Sequence, residues 1–309
     1  IPFSEGVGFI ADVDDENDDG VDYSFAITVH EVAHQWWAHQ VIGADVLGAT
    51  MLSESLSEYV SLKVLEHQHG KDKMRIFLKK ALDDYLLQRT LERKRENALM
   101  YNDGQGYIHY QKGSLVFYAL SDYIGEAKLN GALKKYVEKV KFQEAPYTTS
   151  IEMVDYIREA TPDSLQYVIK DMFETITLYR NRVLNASSKE LENGKYEVEI
   201  EFEVSKYRNN EKGKRYYGEQ LGDTLTYKTD KMKKPILSVP LADYIDIGIF
   251  SEEEVDGKTK EKEVYLKKFK ITEINNKIKI VVDKKPVEVG VDPYNKLIDT
   301  KSEDNRRKL

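Results

Sequence analysis

The spacing of apolar residues predicts that the first part of the chain is helical. From Tyr23 to about Arg182, apolar side chains recur at intervals of three or four positions, most clearly in LSEYVSLKVLEHQHG and GSLVFYALSDYIG. Side chains at that interval share one face of an α-helix, and both segments end on a glycine, a frequent helix terminator. We therefore expect this part of the chain to be mostly helical.

The pattern changes to alternation in the second part of the chain. Apolar and polar residues alternate from about Lys195 onward, in KYEVEIEFEV, KIKIVVD and PVEVGVD, and Asn193-Gly194 and Asp256-Gly257 supply turn residues between candidate strands. The intervening stretch VLNASSKELENG follows neither period. The sequence thus predicts an α+β multidomain chain. A helical domain over residues 1–182 precedes a β-sandwich-like domain over residues 183–309, whose charged tail, KSEDNRRKL, is expected to be frayed.

Composition limits the possible partners and cofactors. The chain has 309 residues, 41% of them hydrophobic, which is enough to build two domains with their own cores. Its 46 basic and 54 acidic residues leave a formal charge of −8. No basic stripe interleaves with aromatic residues, so we expect no nucleic-acid partner. Cysteine is absent, so a bound metal would be held by histidine and carboxylate side chains.

No apolar run approaches the roughly 18 residues that a membrane-spanning helix needs, so we expect residues 1–309 themselves to be soluble. The chain begins IPFSEGVGF, without an initiator methionine or a signal-like segment. We therefore expect an internal fragment of a longer protein.

One segment, VHEVAHQWWAHQ at residues 29–40, concentrates the candidate chemistry. His30 and His34 are four positions apart, so on a helix both imidazoles lie on one face, and Glu31 projects beside them. This spacing is typical of a zinc site with an adjacent general base. The alternative is a buried amphipathic helix whose histidines are only hydrogen-bonded, and a third ligand decides between the two.

Glu54, in MLSESLSEYV, stands on the next helical pattern and completes a set of two histidines and one carboxylate. Three protein ligands leave the fourth position of a tetrahedral Zn²⁺ to water, which distinguishes a catalytic site from a structural one. The sequence therefore predicts one Zn²⁺ per chain on His30, His34 and Glu54. Glu31 would take the proton of the attacking water.

Two further roles follow from the same reasoning. Glu58 comes one helical turn after Glu54, and we expect it to accept the second ring N–H of a ligand histidine such as His30. A surface acid is the alternative at that position. Amide hydrolysis also needs an O–H or N–H donor for the developing oxyanion, and Tyr107, His109 or Tyr110 could supply it.

These segments resemble the gluzincin peptidases and, within them, the M1 family of zinc aminopeptidases. HEVAHQWW is similar to the family's H-E-x-x-H-Q-W segment, MLSESLSEYV to the helix of its third ligand, and YQKGSLVFYAL to its Y-x-K-G helix. The resemblance implies that Tyr110 is the oxyanion-stabilising tyrosine of that helix. It also implies that residues 1–182 are the latter part of a thermolysin-like domain and that the remainder is the β-sandwich that follows it.

The chain departs from the family pattern in two places. Nineteen residues separate His34 from Glu54, where the family usually has eighteen, so the connection IGADVLGAT must absorb one more. FSEGVGFI resembles a degenerate form of the family's G-x-M-E-N strand. The resemblance implies that Glu5 binds the free amine of the substrate, although the Gly, Met and Asn of the motif are absent.

Three functions fit these features. The first is a zinc aminopeptidase that removes N-terminal residues from peptides, and the second is a zinc endopeptidase, favoured if Glu5 does not reach the cleft. The third is a non-catalytic peptide-binding or sensing domain of a membrane transporter, which would not need Glu31. HEVAHQWWAHQVIGA and VGVDPYNKLIDT are most similar to bacterial members in which the peptidase follows a membrane-spanning permease-like region. That resemblance implies a membrane-anchored native protein.

Overall fold

The computed structural model describes residues 4–6, 23–215, 220–221, 224–225, 241–255 and 257–309. These residues fall into two compact units. One runs up to Ile176 and includes Glu211–Gly213, and the other comprises Thr177–Asn210 and Lys214–Leu309. The first is helical and the second is built from β-strands, which confirms the predicted α+β class. Among the helices of the described ranges, none combines the length and the apolar character needed to cross a lipid bilayer.

The helical unit contains α-helices and shorter helical turns. The α-helices are α1 (Tyr23–Ala33), α2 (Leu56–His69), α3 (Met74–Leu91), α4 (Gly113–Ile124), α5 (Glu126–Val140), α6 (Ser150–Ala160) and α7 (Gln166–Ile169). Two π-helical turns, Met51–Ser55 and Tyr107–Lys112, lead directly into α2 and α4. Such turns widen the helix by one residue per turn and are frequent at functional sites.

Helix α4 forms the centre of the helical unit. Its sequence, GSLVFYALSDYI, is apolar on nearly every side, and ten of its twelve residues are buried. A helix of this kind has no face for solvent and must be surrounded by others. It packs against α2 and α5, and Phe117 meets the ring of Phe173 edge-on at 5.4 Å.

Helices α1 and α2 lie against each other. The Ser61 hydroxyl of α2 donates to the backbone oxygen of Ala26 in α1, at 2.9 Å. Ala26 lies one turn before His30 on α1, and Ser61 lies just under one turn after Glu58 on α2. This contact therefore brings the candidate residues of the two helices to the same side of the unit.

The second unit contains antiparallel strands arranged in three sheets. The strands are β1 (Ile176–Glu190), β2 (Tyr196–Asn209), β3 (Gln220–Leu221), β4 (Thr224–Leu225), β5 (Asp243–Val255), β6 (Lys258–Ile271), β7 (Asn275–Val282), β8 (Glu288–Val291) and β9 (Arg306–Lys308). Their order is β1-β2-β7 in one sheet, β6-β5-β8-β9 in another, and β3-β4 in a short hairpin.

The alternating sequence of β2 corresponds to one buried and one outward face. Val198, Ile200, Phe202 and Val204 are almost fully buried, whereas the glutamates between them face lysines of β7. Lys277, for example, pairs with Glu199 at 2.5 Å and with Glu201 at 2.9 Å. The period of two in the sequence therefore predicts both the strand and the direction of its side chains.

A buried ion pair joins β5 to the first sheet. Asp243, which has no exposed surface, accepts a hydrogen bond from the Tyr179 hydroxyl at 2.8 Å and pairs with Lys206 at 2.8 Å. Tyr179 belongs to β1 and Lys206 to β2. Because each charged group has a partner, the acid and the base can both remain inside the unit.

The β-structure begins before residue 182, where the sequence pattern places the end of the helical domain. Strand β1 starts at Ile176, and its first four residues are buried. The segment ITLYRNRV contains apolar residues at positions that fit both helical and strand spacing, so the pattern could not separate the two.

The prediction of a frayed C-terminal tail is wrong. Arg306–Lys308 form β9, which pairs with β8. The Arg306 guanidinium lies 4.0 Å from the centroid of the Phe250 ring, and it pairs with Glu288 at 2.8 Å and with Glu261. Charge in the sequence predicts exposure, but an arginine side chain can cover apolar surface and still keep its charge paired.

Gly113 offers a test of this packing. An added Cβ at Gly113 would lie 2.2 Å from Oγ and 2.6 Å from Cβ of Ser55. We expect Gly113→Ala to lower the free energy of unfolding by about 1–3 kcal/mol, the usual cost of overpacking. Urea denaturation followed by circular dichroism measures it.

The matched control is Gly131→Ala in α5, where nothing lies within 4 Å of the added methyl. That change should stabilise the protein by about 0.5–1 kcal/mol, since alanine favours a helix interior. Equal stability of Gly113→Ala and the wild type would contradict the packing described above.

Candidate metal centre

Helix α1 brings His30, Glu31 and His34 together. The helical hydrogen bonding continues past the end of α1, with His34 N–H donating to the His30 carbonyl at 3.3 Å. The two imidazoles meet edge-on with centroids 4.7 Å apart. One ligand atom from each of the three residues lies within 4.8 Å of the other two. The spacing of four therefore puts both rings and the acid at one place.

Glu54 joins this cluster from the π-helical turn before α2. Its Oε2 lies 3.3 Å from Nε2 of His30 and 3.4 Å from Nε2 of His34. With metal–ligand bonds of about 2.0–2.1 Å, tetrahedral zinc places two ligand atoms about 3.3–3.4 Å apart. The distance from the carboxylate oxygen to each ring nitrogen thus matches the spacing of two ligand atoms on one Zn²⁺, and the donor types, two imidazoles and a carboxylate, suit that ion.

The other ring nitrogen of each histidine lies close to an oxygen atom that can accept its proton. Oε1 of Glu58 lies 3.0 Å from Nδ1 of His30. Nδ1 of His34 lies 2.9 Å from the backbone oxygen of Trp37, which can only accept, and 3.2 Å from Oγ of Ser57. A proton on Nδ1 leaves the lone pair of each Nε2 free for a metal. These acceptors therefore orient both rings for coordination.

Charge within the cluster favours a bound cation. Burial alone would lower the pKa of His30, but its hydrogen bonds and charge interactions with Glu54 and Glu58 raise the pKa to about 9. Burial would likewise raise the pKa of Glu54, but the contacts with both histidines lower it to about 2. Both shifts show that the carboxylates stabilise positive charge at this position, which a divalent ion supplies more strongly.

Tyr110 faces the cluster from the π-helical turn before α4. Its ring centroid is 5.9 Å from that of His30, and its side chain is partly open to solvent, with Tyr110 37% exposed. Burial, followed by the charge of Glu54, raises the pKa of Tyr110 to about 12. The hydroxyl therefore keeps its proton near neutral pH and can donate a hydrogen bond. Tyr107, in contrast, is buried against Tyr85, with centroids 5.8 Å apart.

A cavity of about 370 Å³ adjoins the cluster. His30, Glu31, Glu58 and Tyr110 form part of its wall. The remaining wall is mostly apolar on the sides of α1, α2 and α3, and includes Ala26, Ile27, Leu62, Leu65, Phe77 and Ala81. An ion pair between Lys80 and Asp84, at 2.8 Å, also lines it. The space suits an apolar side chain with a polar neighbour.

Glu5 has helical backbone and an exposed side chain, whereas the sequence resemblance predicts a strand. It is not among the residues that line the cavity. Residues 1–3 and 7–22, which surround it, lie outside the described part of the chain. The amine-binding role of Glu5 therefore stays a prediction.

The sequence did not predict the groups that hydrogen-bond to the ligand histidine His34 or the buried polar residues next to the cluster. The acceptor for His34 is the main chain of Trp37, and a backbone carbonyl has no residue-specific signal. Ser57 carries a signal only in retrospect, because it lies three positions after Glu54 on the same turn. His109 and Asn102, buried beside the cluster, are also hydrogen-bonded to each other at 2.9 Å.

Removal of the Glu58 side chain tests its role. Glu58→Ala should weaken zinc binding by about 10–100-fold, because His30 loses the acceptor that orients its ring. Glu58→Gln keeps an acceptor oxygen, so its zinc affinity should lie between those of the wild type and Glu58→Ala. Competition with a chromophoric chelator measures the zinc Kd. The control is Glu66→Ala, two turns further along α2, and an affinity for Glu58→Ala equal to that of the control would contradict the role.

The model of the peptidase family M1 domain matches residues 6–175, which is more than half of the chain. Among solved structures, the M1 zinc metallopeptidase of Deinococcus radiodurans aligns at 24% identity, covering 48% of this chain and 32% of that one, with a TM-score of 0.38. A mutant M1 zinc metallopeptidase of the same organism, bound to a Tyr-Ser-Ala substrate, aligns at 23% identity with the same coverage and TM-score.

This chain spans about a third of the length of those structures. No curated protein matches the sequence. The family match covers His30, Glu31, His34, Glu54 and Tyr110, and it confirms the resemblance found in the motifs. The chain belongs to peptidase family M1.

Proposed function

We propose that this chain is the zinc-binding portion of an aminopeptidase that removes N-terminal residues from peptides by attack of water. The observation that carries the proposal is the separation of 3.3 and 3.4 Å between Oε2 of Glu54 and Nε2 of the two histidines. His30, His34 and Glu54 would hold one Zn²⁺. When bound, the ion supplies Lewis-acid activation of water and of the scissile carbonyl.

Glu31 acts as the general base. Its carboxylate lies beside the two histidines but takes no part in the 3.3–3.4 Å ligand set. As the oxygen of water bonds to the carbonyl carbon, Glu31 accepts one proton of that water. It returns the proton to the leaving nitrogen when the C–N bond breaks. A non-catalytic peptide-binding domain would not need this carboxylate, so its presence argues against that alternative.

Tyr110 and the cavity complete the proposed site. The Tyr110 hydroxyl, protonated at neutral pH, donates to the carbonyl oxygen as that oxygen becomes negative. The apolar wall formed by α1, α2 and α3 holds a substrate side chain next to the scissile bond. Glu58 and the Trp37 carbonyl keep the two ligand rings in place.

A zinc endopeptidase is the second candidate, and the position of Glu5 favours it. An aminopeptidase needs a carboxylate at a fixed distance from the metal to bind the free α-amine, and Glu5 is exposed and does not line the cavity. The two candidates share their chemistry and differ only in whether the substrate must have a free amine.

We also propose that the native protein is joined to a membrane-spanning permease-like region and anchored by it. This proposal rests on the segments HEVAHQWWAHQVIGA and VGVDPYNKLIDT. Their sequences resemble those of bacterial M1 members in which the peptidase follows a permease-like region. Peptides are the expected substrates, and nucleic acid is not an expected partner.

Substitution of the base tests the mechanism. Glu31→Gln should reduce peptide hydrolysis by about 10²–10⁴-fold, since it removes the proton acceptor. The zinc content, measured by atomic absorption, should stay at one ion per chain. Glu159→Gln, an exposed position of α6, serves as control and should change neither quantity. Loss of zinc from Glu31→Gln would instead assign Glu31 to the metal.

A pair of substrates separates the two candidate functions. An aminopeptidase should cut a peptide with a free amine and leave its N-acetylated form intact, because the charged amine is part of the recognition. Glu5→Gln should weaken cleavage of the free-amine peptide by about 1.5–3 kcal/mol, the value of a charge-assisted hydrogen bond. Equal cleavage of both peptides by the wild type would favour the endopeptidase.

A further inference from the structure

His109 lies between Tyr110 and the turn that carries Glu54. Its side chain is buried, and its ring meets that of Tyr110 edge-on, with centroids 4.3 Å apart. Its backbone oxygen accepts a hydrogen bond from Ser55 Oγ at 2.7 Å, so the residue next to Glu54 holds the main chain of His109. The ring is therefore fixed beside the metal cluster and beside the tyrosine.

Asn102 determines which nitrogen of His109 carries the proton. Oδ1 of Asn102 accepts from the N–H of Gln105 at 3.1 Å, which fixes the orientation of the amide. Nδ2 is then turned towards Nδ1 of His109, at 2.9 Å, and towards Oγ1 of Thr50, at 2.9 Å. An amide nitrogen can only donate, so Nδ1 of His109 must accept. In the neutral ring the proton is on Nε2.

The environment keeps the ring neutral. Burial lowers the pKa of His109 below its ordinary value, and the Glu54 carboxylate and the His30 ring act on it in opposite directions. Both of those groups belong to the metal cluster, so His109 lies within electrostatic reach of the reacting atoms. A neutral imidazole with Nδ1 as acceptor has one donor left, its Nε2–H.

Within the described part of the chain, that N–H has no acceptor. No described residue makes a hydrogen bond with Nε2 of His109, although a buried histidine kept only for packing would be expected to satisfy both nitrogens. The structure thus combines a ring held in contact with that of Tyr110, a defined tautomer and an Nε2–H without an acceptor among the described residues.

We propose that the Nε2–H of His109 is a second hydrogen-bond donor to the oxygen of the scissile carbonyl, acting together with the hydroxyl of Tyr110. No bond to His109 forms or breaks, and its proton stays on Nε2. The negative oxygen of the tetrahedral intermediate has lone pairs for both donors. Asn102 is a positioning residue, because it acts only through the ring. This role rests on the proposed peptidase function.

The tautomer can be measured without activity. In protein labelled with ¹⁵N in its histidine rings, the NMR shifts of His109 should show a protonated Nε2 and an unprotonated Nδ1. Asn102→Asp replaces the donor by an acceptor and should move the proton to Nδ1. A proton on Nδ1 of the wild type would overturn the proposal.

Kinetics test the donor role. His109→Leu should lower kcat by about 10²-fold, within the range seen for loss of one oxyanion donor, with KM nearly unchanged and zinc still bound. His109→Gln retains an N–H at a similar reach and should recover at least about tenfold of that loss. Tyr110→Phe provides the comparison, since it removes the other donor and should also act on kcat.

If His109→Leu does not fold, His109→Phe, which keeps an aromatic ring but has no N–H, gives the same test and should lower kcat. Wild-type kcat in folded, zinc-loaded His109→Leu would overturn the donor role and leave the proposed function standing. A wild type that cuts no peptide would overturn the proposed function and the donor role together. The NMR result would then still report the tautomer on its own.

Discussion

The site depends on the close approach of three donor atoms that would repel one another or demand protons if no cation lay between them. Glu54 Oε2 is held 3.3–3.4 Å from two ring nitrogens, and the fold maintains this approach from behind. Gly113 allows α4 to touch Ser55, next to Glu54, and the buried α4 holds the Tyr110 turn in register with it. The packing of the helical unit therefore determines where the charged groups of the site lie.

The helical and strand parts and the convergence of His30, Glu31, His34 and Glu54 could be predicted from the sequence, because most of them follow from a spacing. His30, His34 and Glu58 lie at intervals of four from a partner, and such intervals determine a face. The π-helical turns at Glu54 and Tyr110 could not be predicted, since the extra residue in the turn leaves no period of its own. Nor could the acceptor of His34, which is a backbone oxygen.

The same limit applies in the β-unit. Alternation predicts β2, but it does not predict that polar residues at the end of the chain are buried. Asp292, for instance, accepts from the backbone N–H of Lys296 and Leu297, both at 3.0 Å. Burial, opposed by those bonds, raises the pKa of Asp292 to about 8. A sequence shows the charge of such a residue, whereas the loop that encloses it arises from tertiary packing.

Strand β7 is the last strand of its sheet, and within the described residues no further strand pairs with its outer edge. An open edge is a template on which another chain can add a strand, and exposed Val281 would favour that addition. Lys277 and Lys279 stand on the same strand, and a second copy aligned in antiparallel register would bring lysine against lysine. The ladder that pairs β7 with the glutamates of β2 therefore also protects the molecule from aggregation through this sheet.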